Sequence, residues 1–237
     1  MKGTILPMAS PCPIWRHETV AAAPCRILIV DDHPVFSRGL SHLLESDPNL
    51  RVSGIASDAR VALDRIGREP IDVVTVDISL GGGSGLDLIK TLARDYPEIR
   101  LIVISMHDEV TYGERALRAG AAGYVTKSAS GETLLAAVRG VVAGQISVSD
   151  ALATRMLRRV ARGRDGSGTP FDLLSDREIE IFCQIGGGQT SEQIARVLHI
   201  SKKTVESHRF NIRNKLELGS GLELVRYAMD WTHRHAG

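Results

Sequence analysis

Five strand-like segments alternate with helix-like segments between Arg26 and about Gly144, and this alternation limits the possible folds more than any other feature. The strand-like segments are RILIVDD, RVSGIAS, IDVVTVD, RLIVISM and AGYVTK. Each is a short apolar run followed by a stretch of helical length, the first of which opens at Pro34. The repeats predict a doubly wound, five-stranded parallel sheet with helices on both faces. Ligands of such sheets gather beyond the carboxyl ends of the strands.

The rest of the chain differs in character. With 237 residues the sequence is too long for most single small domains, so two domains are expected. We predict a disordered N-terminal extension over 1–24, the α/β domain over 25–145, a linker with a basic helix over 146–170, and a small all-α domain over 171–237. The basic helix carries Arg155, Arg158, Arg159 and Arg162 and runs into a Gly/Ser/Pro segment.

The C-terminal segment reads as a helix, a tight turn and a second helix. SDRE and TSEQ, which begin at Ser175 and Thr190, have capping-box spacing, and the triple glycine Gly186 to Gly188 ends the helix between them. Ser201 is placed to cap a further helix. This arrangement is typical of a helix-turn-helix.

Composition restricts where the protein acts. The formal net charge is +1, so any contact with nucleic acid must be local, and no apolar run reaches the length of a bilayer-spanning helix. The N-terminal segment lacks a signal-peptide core. The cysteines Cys12, Cys25 and Cys183 are scattered and odd in number, which favours a reducing cytoplasm, and Cys183 is expected to be a small core residue. We therefore expect a cytoplasmic protein without a membrane partner.

Acidic residues end two of the predicted strands: Asp31 and Asp32 the first, Asp77 the third. Because the carboxyl ends of parallel strands share one edge, the three carboxylates are expected to converge, and such a cluster requires a cation or shared protons. Carboxylate oxygens suit Mg²⁺. Ser105 and Lys127 end the remaining strands and fit an oxyanion or a phosphoryl group held at that edge. All five falling on one edge favours a functional site.

Two residues keep more than one interpretation at this point. Asp77 alone could be a catalytic acid, a metal ligand, a phosphate acceptor or a strand cap. His33 follows the acidic pair, but no second histidine has ligand spacing, so we expect it to serve helix entry.

ILIVDDHP, VVTVDISLGGGSGLDLIK, IVISM and AGYVTK together resemble the receiver domain of two-component response regulators. The resemblance implies a flavodoxin/CheY-like fold in which Asp77 accepts a phosphoryl group from a sensor histidine kinase. It implies that Mg²⁺ is bound at Asp77, by Asp32 directly, by Asp31 mostly through water and by the backbone carbonyl of Ser79.

The same resemblance assigns roles around the phosphoryl group. Lys127 pairs with its oxygens, and Ser105 reaches them after phosphorylation while Tyr124 swings inward. Receiver domains often carry proline four residues after the acceptor, where this chain has Gly81, so phosphate lifetime and turn geometry are open.

LSDREIEIFCQIGGGQTSEQIARVLHISKKTVESHRFNIRNKLEL resembles the LuxR-type helix-turn-helix of the NarL/FixJ class. Val205, Ile212 and Leu216 recur at helical spacing and are expected to face the core. By resemblance, one set of residues contacts the DNA backbone and another faces base edges. The backbone set, which combines this resemblance with the basic outward face, is Lys202, Lys203, Thr204, His208, Arg209 and Lys215, and the base-edge set is Glu206, Ser207 and Phe210.

We therefore predict a DNA-binding transcriptional regulator, not an enzyme, that is gated by phosphorylation of Asp77, acts as a homodimer on double-stranded DNA, and is restrained by a linker that holds the recognition helix against the receiver. The alternative is a phosphorylation-independent regulator whose receiver serves dimerisation. A phosphatase of the haloacid-dehalogenase type needs a second aspartate where the chain has Ser79. A nucleotide-binding loop is set aside because GGGSG follows the third strand rather than the first.

Overall fold

The structure, a computed structural model, describes residues 23–80, 83–161 and 173–235. Most of the predicted N-terminal extension, Gly81, and the Gly/Ser/Pro part of the predicted linker lie outside the described residues. Among the residues described, no helix combines the length and the apolar character that crossing a membrane requires.

A five-stranded parallel sheet forms the first half of the chain, as predicted. Its strands are β1 (Cys25–Val30), β2 (Leu50–Ala56), β3 (Val73–Val76), β6 (Arg100–Ser105) and β7 (Gly123–Thr126), while β4 (Ser79–Leu80) and β5 (Gly83–Ser84) form a separate two-stranded sheet. The sheet order is β2-β1-β3-β6-β7, and every pairing in it is parallel. All four residues of β3 are buried, because helices cover both faces of the sheet.

Helices connect the strands and continue to the C-terminus. They are α1 (Pro34–Glu45), α2 (Ala59–Ile66), α3 (Gly85–Asp95), α4 (Glu109–Ala119), α5 (Gly131–Val142), α6 (Asp150–Ala161), α7 (Asp176–Gly186), α8 (Ser191–Val197), α9 (Lys202–Lys215) and α10 (Gly221–His235). Side chains at the N-caps fix the start of three helices of the sheet domain: Asp58, Asp108 and Ser130 each accept a backbone N–H of the first turn.

The short strands β4 and β5 after β3 pair with each other, which the sequence interpretation did not predict. Ser79 and Leu80 pair antiparallel with Ser84 and Gly83. The chain then enters α3 at Gly85, whose N–H donates to the Ile78 carbonyl at 2.7 Å. A Cβ on Gly85 would lie 1.9 Å from the Asp77 carbonyl oxygen. Glycine is therefore required here by close approach of the backbone to Asp77, not by an unusual torsion angle.

The helical domain follows the predicted capping. Ser175 and Thr190 both form complete capping boxes, with Glu178 and Gln193 respectively, and the first helix of the domain ends at Gly186. Val205 and Ile212 of α9 are fully buried, which confirms their assignment to the core.

Candidate functional site

The three predicted carboxylates meet at one edge of the sheet. Asp31 and Asp32 follow β1, and Asp77 follows β3, the strand next to β1. Ligand atoms of these three residues and of His33 all lie within 4.8 Å of one another. Asp31 and Asp77 are buried, whereas the Asp32 side chain is 31% exposed. Parallel topology thus concentrates acidic groups in a place that is mostly closed to water.

Lys127, which follows β7, supplies the compensating charge. Its Nζ lies 2.6 Å from Asp77 Oδ2 and 2.7 Å from Asp31 Oδ2, and its side chain is buried. The ammonium also lies 4.7 Å from the centre of the Phe36 ring. Burying charges requires close partners of opposite sign, so Lys127 is the group that makes a buried pair of carboxylates tolerable.

Ser105 and Tyr124, to which the resemblance assigns roles in signalling, are both buried. The Ser105 hydroxyl donates to Asp77 Oδ1 at 2.7 Å. Tyr124 is buried, and its hydroxyl donates to the His107 carbonyl at 2.8 Å. The structure therefore shows Tyr124 already turned inward and Ser105 already in contact with the Asp77 carboxylate.

His107 belongs to the site and was missed in the sequence. Its Nε2 lies 2.7 Å from the Ser79 hydroxyl, and its ring centre lies 4.7 Å from that of Tyr112. Burial lowers the pKa of His107; the charge of Asp77 acts against this and that of Lys127 adds to it. Nothing in the segment RLIVISMHD marks His107, because its role depends on the chain turning back over the loop after β3.

His33 precedes α1, and its side chain contacts the acidic cluster. It is the N-cap residue of α1, as expected, but its side chain makes no cap hydrogen bond. The ring instead turns toward the acids, with Nδ1 2.8 Å from Asp32 Oδ1 and 3.2 Å from Asp31 Oδ1. The prediction was right about the backbone and incomplete about the ring.

The donor set fits a hard divalent cation. Asp32 Oδ1 is a buried atom that accepts no hydrogen bond from the described residues, although the His33 ring lies beside it. Oxygen donors from Asp31, Asp32 and Asp77 surround the same small volume. Mg²⁺ is usually held through one or two carboxylates together with water and phosphate, which is what this cluster offers.

The second predicted site is the outward face of α9. Most of the residues expected to contact DNA are exposed there: Lys202, Lys203, Thr204, Glu206, Ser207 and Phe210. Phe210 is 55% exposed and carries the guanidinium of Arg213 over its ring at 5.4 Å. The exposed face therefore combines cations, hydrogen-bonding groups and an aromatic ring, as a nucleic-acid contact requires.

Lys215, at the C-terminal end of α9, is exposed and also forms an ion pair inside the helical domain. Its Nζ lies 2.7 Å from Glu178 Oε2, and the Glu178 side chain is nearly buried and also completes the capping box of α7. Lys215 thus links α9 to α7, and a phosphate contact by this residue would compete with that ion pair. The sequence did not indicate this ion pair, because the partner Glu178 lies on another helix.

His208 and Arg209 lie at the margin of the face. The Nδ1 atom of His208 is buried without a hydrogen-bond partner among the described residues, and burial lowers the pKa of this imidazole. The Arg209 side chain is only 18% exposed and lies 3.9 Å from Glu206. Both residues are less exposed than Lys202, Lys203 and Thr204.

The structure also overturns the expectation that the receiver holds the recognition helix. The outward residues of α9 named above are open to solvent, and the helical domain meets the α/β domain through α7 instead. The physical reason is that Asp176 of α7 finds two cations on the α/β domain, whereas α9 carries cations of its own.

Comparison with known proteins identifies a matching family for each half of the chain. Residues 27–139 match the response regulator receiver domain, and residues 172–228 match the bacterial regulatory proteins of the luxR family. The chain is 35% identical over 209 residues to the oxygen regulatory protein NreC of Staphylococcus haemolyticus, covering 86% of this chain and 96% of NreC. The chain belongs to the NarL/FixJ family of response regulators.

Other proteins similar to this chain are also response regulators. The chain is 35% identical over 199 residues to the nitrate/nitrite response regulator protein NarP of Escherichia coli, covering 84% of the regulator and 92% of NarP. A structure of the RcsB response regulator of Salmonella typhimurium shares the fold, with a TM-score of 0.64, 23% identity, and coverage of 88% of this chain and 98% of that one. The regulator thus joins a receiver domain to a LuxR-type DNA-binding domain, and it is a DNA-binding transcriptional regulator of a two-component system.

Proposed function

We propose that Asp77 is the phosphoacceptor of this regulator and that its phosphorylation controls DNA binding by α9. The observation that carries the proposal is the Asp77 carboxylate itself. It is buried, lies 2.6 Å from Lys127 Nζ, accepts a hydrogen bond from Ser105 at 2.7 Å, and adjoins Asp31 and Asp32. These neighbours can neutralise the charge of a phosphoryl group, donate a hydrogen bond to it, or bind the metal ion beside it.

The chemistry is one displacement. A carboxylate oxygen of Asp77 forms the new O–P bond while the N–P bond of a phosphohistidine on the kinase breaks, and that electron pair returns to the imidazole. The product adds roughly 1.5 to 2 negative charges. Lys127 offsets part of this charge, and the Ser105 hydroxyl is placed to donate to a phosphoryl oxygen.

A bound Mg²⁺ supplies further charge neutralisation at this site. The residues that would hold it are Asp32 and Asp77 directly, Asp31 mostly through water, and Ser79 through its backbone carbonyl. The buried and unbonded Oδ1 of Asp32 supports this assignment.

On the output side, we propose that α9 enters the major groove of double-stranded DNA in the cytoplasm. Lys202, Lys203 and Thr204 contact the backbone, and Glu206, Ser207 and Phe210 face base edges. One such module buries little surface, so a homodimer reading two half-sites is expected. The partner upstream is a sensor histidine kinase.

The test is DNA binding with and without a small-molecule phosphodonor and Mg²⁺, using a duplex selected from a random-sequence library. The phosphodonor is expected to strengthen binding by the wild type and not by Asp77→Asn. Asp64→Asn, which changes an exposed carboxylate on α2, is the matched control and should respond like the wild type. Equal binding in all conditions would instead support the alternative of a phosphorylation-independent regulator.

Salt dependence distinguishes the cations of α9. A plot of log affinity against log salt concentration has a negative slope, because each phosphate contact releases counterions. Lys203→Met is expected to lower the magnitude of that slope by about 1. Lys215→Met should leave that slope unchanged and lower the free energy of unfolding, because Lys215 pairs with Glu178. Fluorescence anisotropy over a salt series, together with urea unfolding, measures both quantities. A smaller slope magnitude in Lys215→Met would indicate that Lys215 contacts a DNA phosphate.

A further inference from the structure

The imidazole of His33 lies against the acidic cluster formed by Asp31, Asp32 and Asp77. Its Nδ1 atom is 2.8 Å from Asp32 Oδ1, 3.2 Å from Asp31 Oδ1 and 3.8 Å from Asp77 Oδ2. The His33 side chain is 58% exposed, so the ring reaches the acids from the solvent side of the cluster. One ring nitrogen therefore adjoins all three carboxylates.

The backbone around His33 holds the ring in this place. The His33 N–H donates to Asp31 Oδ1 at 2.8 Å. Pro34 follows as the first residue of α1 and restricts the His33 backbone to the extended region, where it lies at φ −99° and ψ 98°. The side chain makes no cap hydrogen bond to α1. The fold thus directs the ring to the acids and does not use it to cap the helix.

The contact between His33 and Asp32 is close without being a hydrogen bond. Asp32 Oδ1 is a buried atom with no hydrogen-bond partner among the described residues, although His33 Nδ1 lies only 2.8 Å away. Lys127 pairs instead with Asp31 and Asp77, at 2.7 and 2.6 Å. A buried oxygen without a partner calls for an explanation, and a metal ion shared by the oxygen and the ring nitrogen provides one.

The spacings are those of a single coordination shell. Around a six-coordinate ion with bonds of about 2.1 Å, adjacent ligands lie roughly 3 Å apart and opposite ligands about 4.2 Å apart. The separations of Nδ1 from Asp32 and Asp31 match adjacent positions, and that from Asp77 lies between the two values. His33 is therefore placed to take a position that water fills in an all-oxygen site.

A nitrogen ligand changes which ion the site prefers. Mg²⁺ favours oxygen ligands and retains several of its waters. Imidazole binds first-row transition metals more readily, and carboxylates bind Mn²⁺ as well as Mg²⁺. Three carboxylates and one imidazole together favour an ion that accepts both kinds of ligand.

We propose that His33 is a direct ligand of the ion bound beside Asp77 and makes the site select a first-row transition-metal ion such as Mn²⁺ over Mg²⁺. The proposal rests on the metal site of the proposed function and goes beyond it, because the other residues of that site supply only oxygen. The neutral ring binds through Nδ1, and its proton stays on Nε2.

Calorimetric titration of the full-length protein with Mn²⁺ and with Mg²⁺ tests the selectivity. His33→Phe keeps a planar ring and removes both nitrogens. It is expected to raise the Kd for Mn²⁺ at least about tenfold, a loss that even residues behind the ligands commonly cause. The Kd for Mg²⁺ should change much less. His42→Phe, which changes an exposed histidine in the last turn of α1, is the matched control and should bind both ions like the wild type.

Pulsed EPR of Mn²⁺ bound to protein labelled with ¹⁵N-histidine tests the bond itself and can be read on the wild type alone. A directly bound imidazole gives a nitrogen coupling, which should be absent in His33→Phe and present in His42→Phe. This coupling, together with a reduced preference for Mn²⁺ in His33→Phe, supports the proposal. Bound Mn²⁺ without nitrogen coupling, or an unchanged Mn²⁺ preference in His33→Phe, overturns it.

Asp32→Asn separates this inference from the proposed function. It removes a carboxylate that both ions require and should abolish binding of both. If the wild type binds neither ion, or Asp32→Asn binds both as tightly as the wild type, the metal site and the His33 assignment fail together. If Asp32→Asn abolishes binding but His33→Phe leaves both Kd values unchanged, the His33 assignment fails alone.

Discussion

Lys127→Met is expected to lower the free energy of unfolding of the receiver by about 3 to 5 kcal/mol in the absence of Mg²⁺. The substitution keeps much of the side-chain volume but leaves Asp31 and Asp77 buried with no ammonium between them. An unpaired buried charge costs more than the pair it came from contributes. Urea unfolding followed by circular dichroism measures the change.

Added Mg²⁺ should restore a substantial part of that loss, because a cation at the same carboxylates replaces the missing charge. Arg68→Met, which removes an exposed cation just after α2, serves as the control and should change stability by less than about 0.5 kcal/mol in either condition. Wild-type stability of Lys127→Met without Mg²⁺ would show that the carboxylates do not depend on this ammonium.

Gly85→Ala is expected to lower the free energy of unfolding by about 2 to 4 kcal/mol and to impair phosphoryl uptake as well. The added Cβ would lie 1.9 Å from the Asp77 carbonyl oxygen and 2.8 Å from the Ile78 Cα, both of them backbone atoms. Backbone cannot swing aside as a long side chain can, so the strand end that carries Asp77 must shift.

Gly39→Ala is the matched control for this prediction. Gly39 lies on the exposed side of α1, and nothing lies within 4 Å of a Cβ built there. Alanine in a helix is favoured over glycine, so this variant should gain about 0.5 to 1 kcal/mol. Parallel urea unfolding curves and phosphoryl uptake assays on both variants make the comparison, and equal behaviour of the two would refute the close approach at Gly85.

The sheet and the acidic cluster were predictable from the sequence because both follow from local patterns. Apolar runs such as VVTV mark buried strands, and parallel topology then carries whatever follows each strand to one edge. Asp77 and Lys127 lie 50 positions apart in the chain, yet strand order alone brings them together. The capping boxes at Ser175 and Thr190 were equally local, being three-residue spacings with a fixed hydrogen-bond pattern.

What the sequence did not reveal depends on partners that are distant and specific. Lys215 looks like any other cation of α9 until Glu178, from another helix, is found 2.7 Å away. His107 acquires its role only when the fold brings Ser79 to it. The position of α7 on the receiver depends on Asp176 meeting Arg115 and Lys90, and no periodicity within α7 identifies those partners.

The most direct test of the central claim is to locate the phosphoryl group. The wild-type protein is incubated with a small phosphodonor and Mg²⁺, the acyl phosphate is trapped by borohydride reduction, and the modified residue is identified by peptide mass spectrometry. We predict a single modified residue, Asp77, and no incorporation in Asp77→Asn. Incorporation that persists in Asp77→Asn, or a modification found on Asp31 or Asp32 instead, would contradict the account.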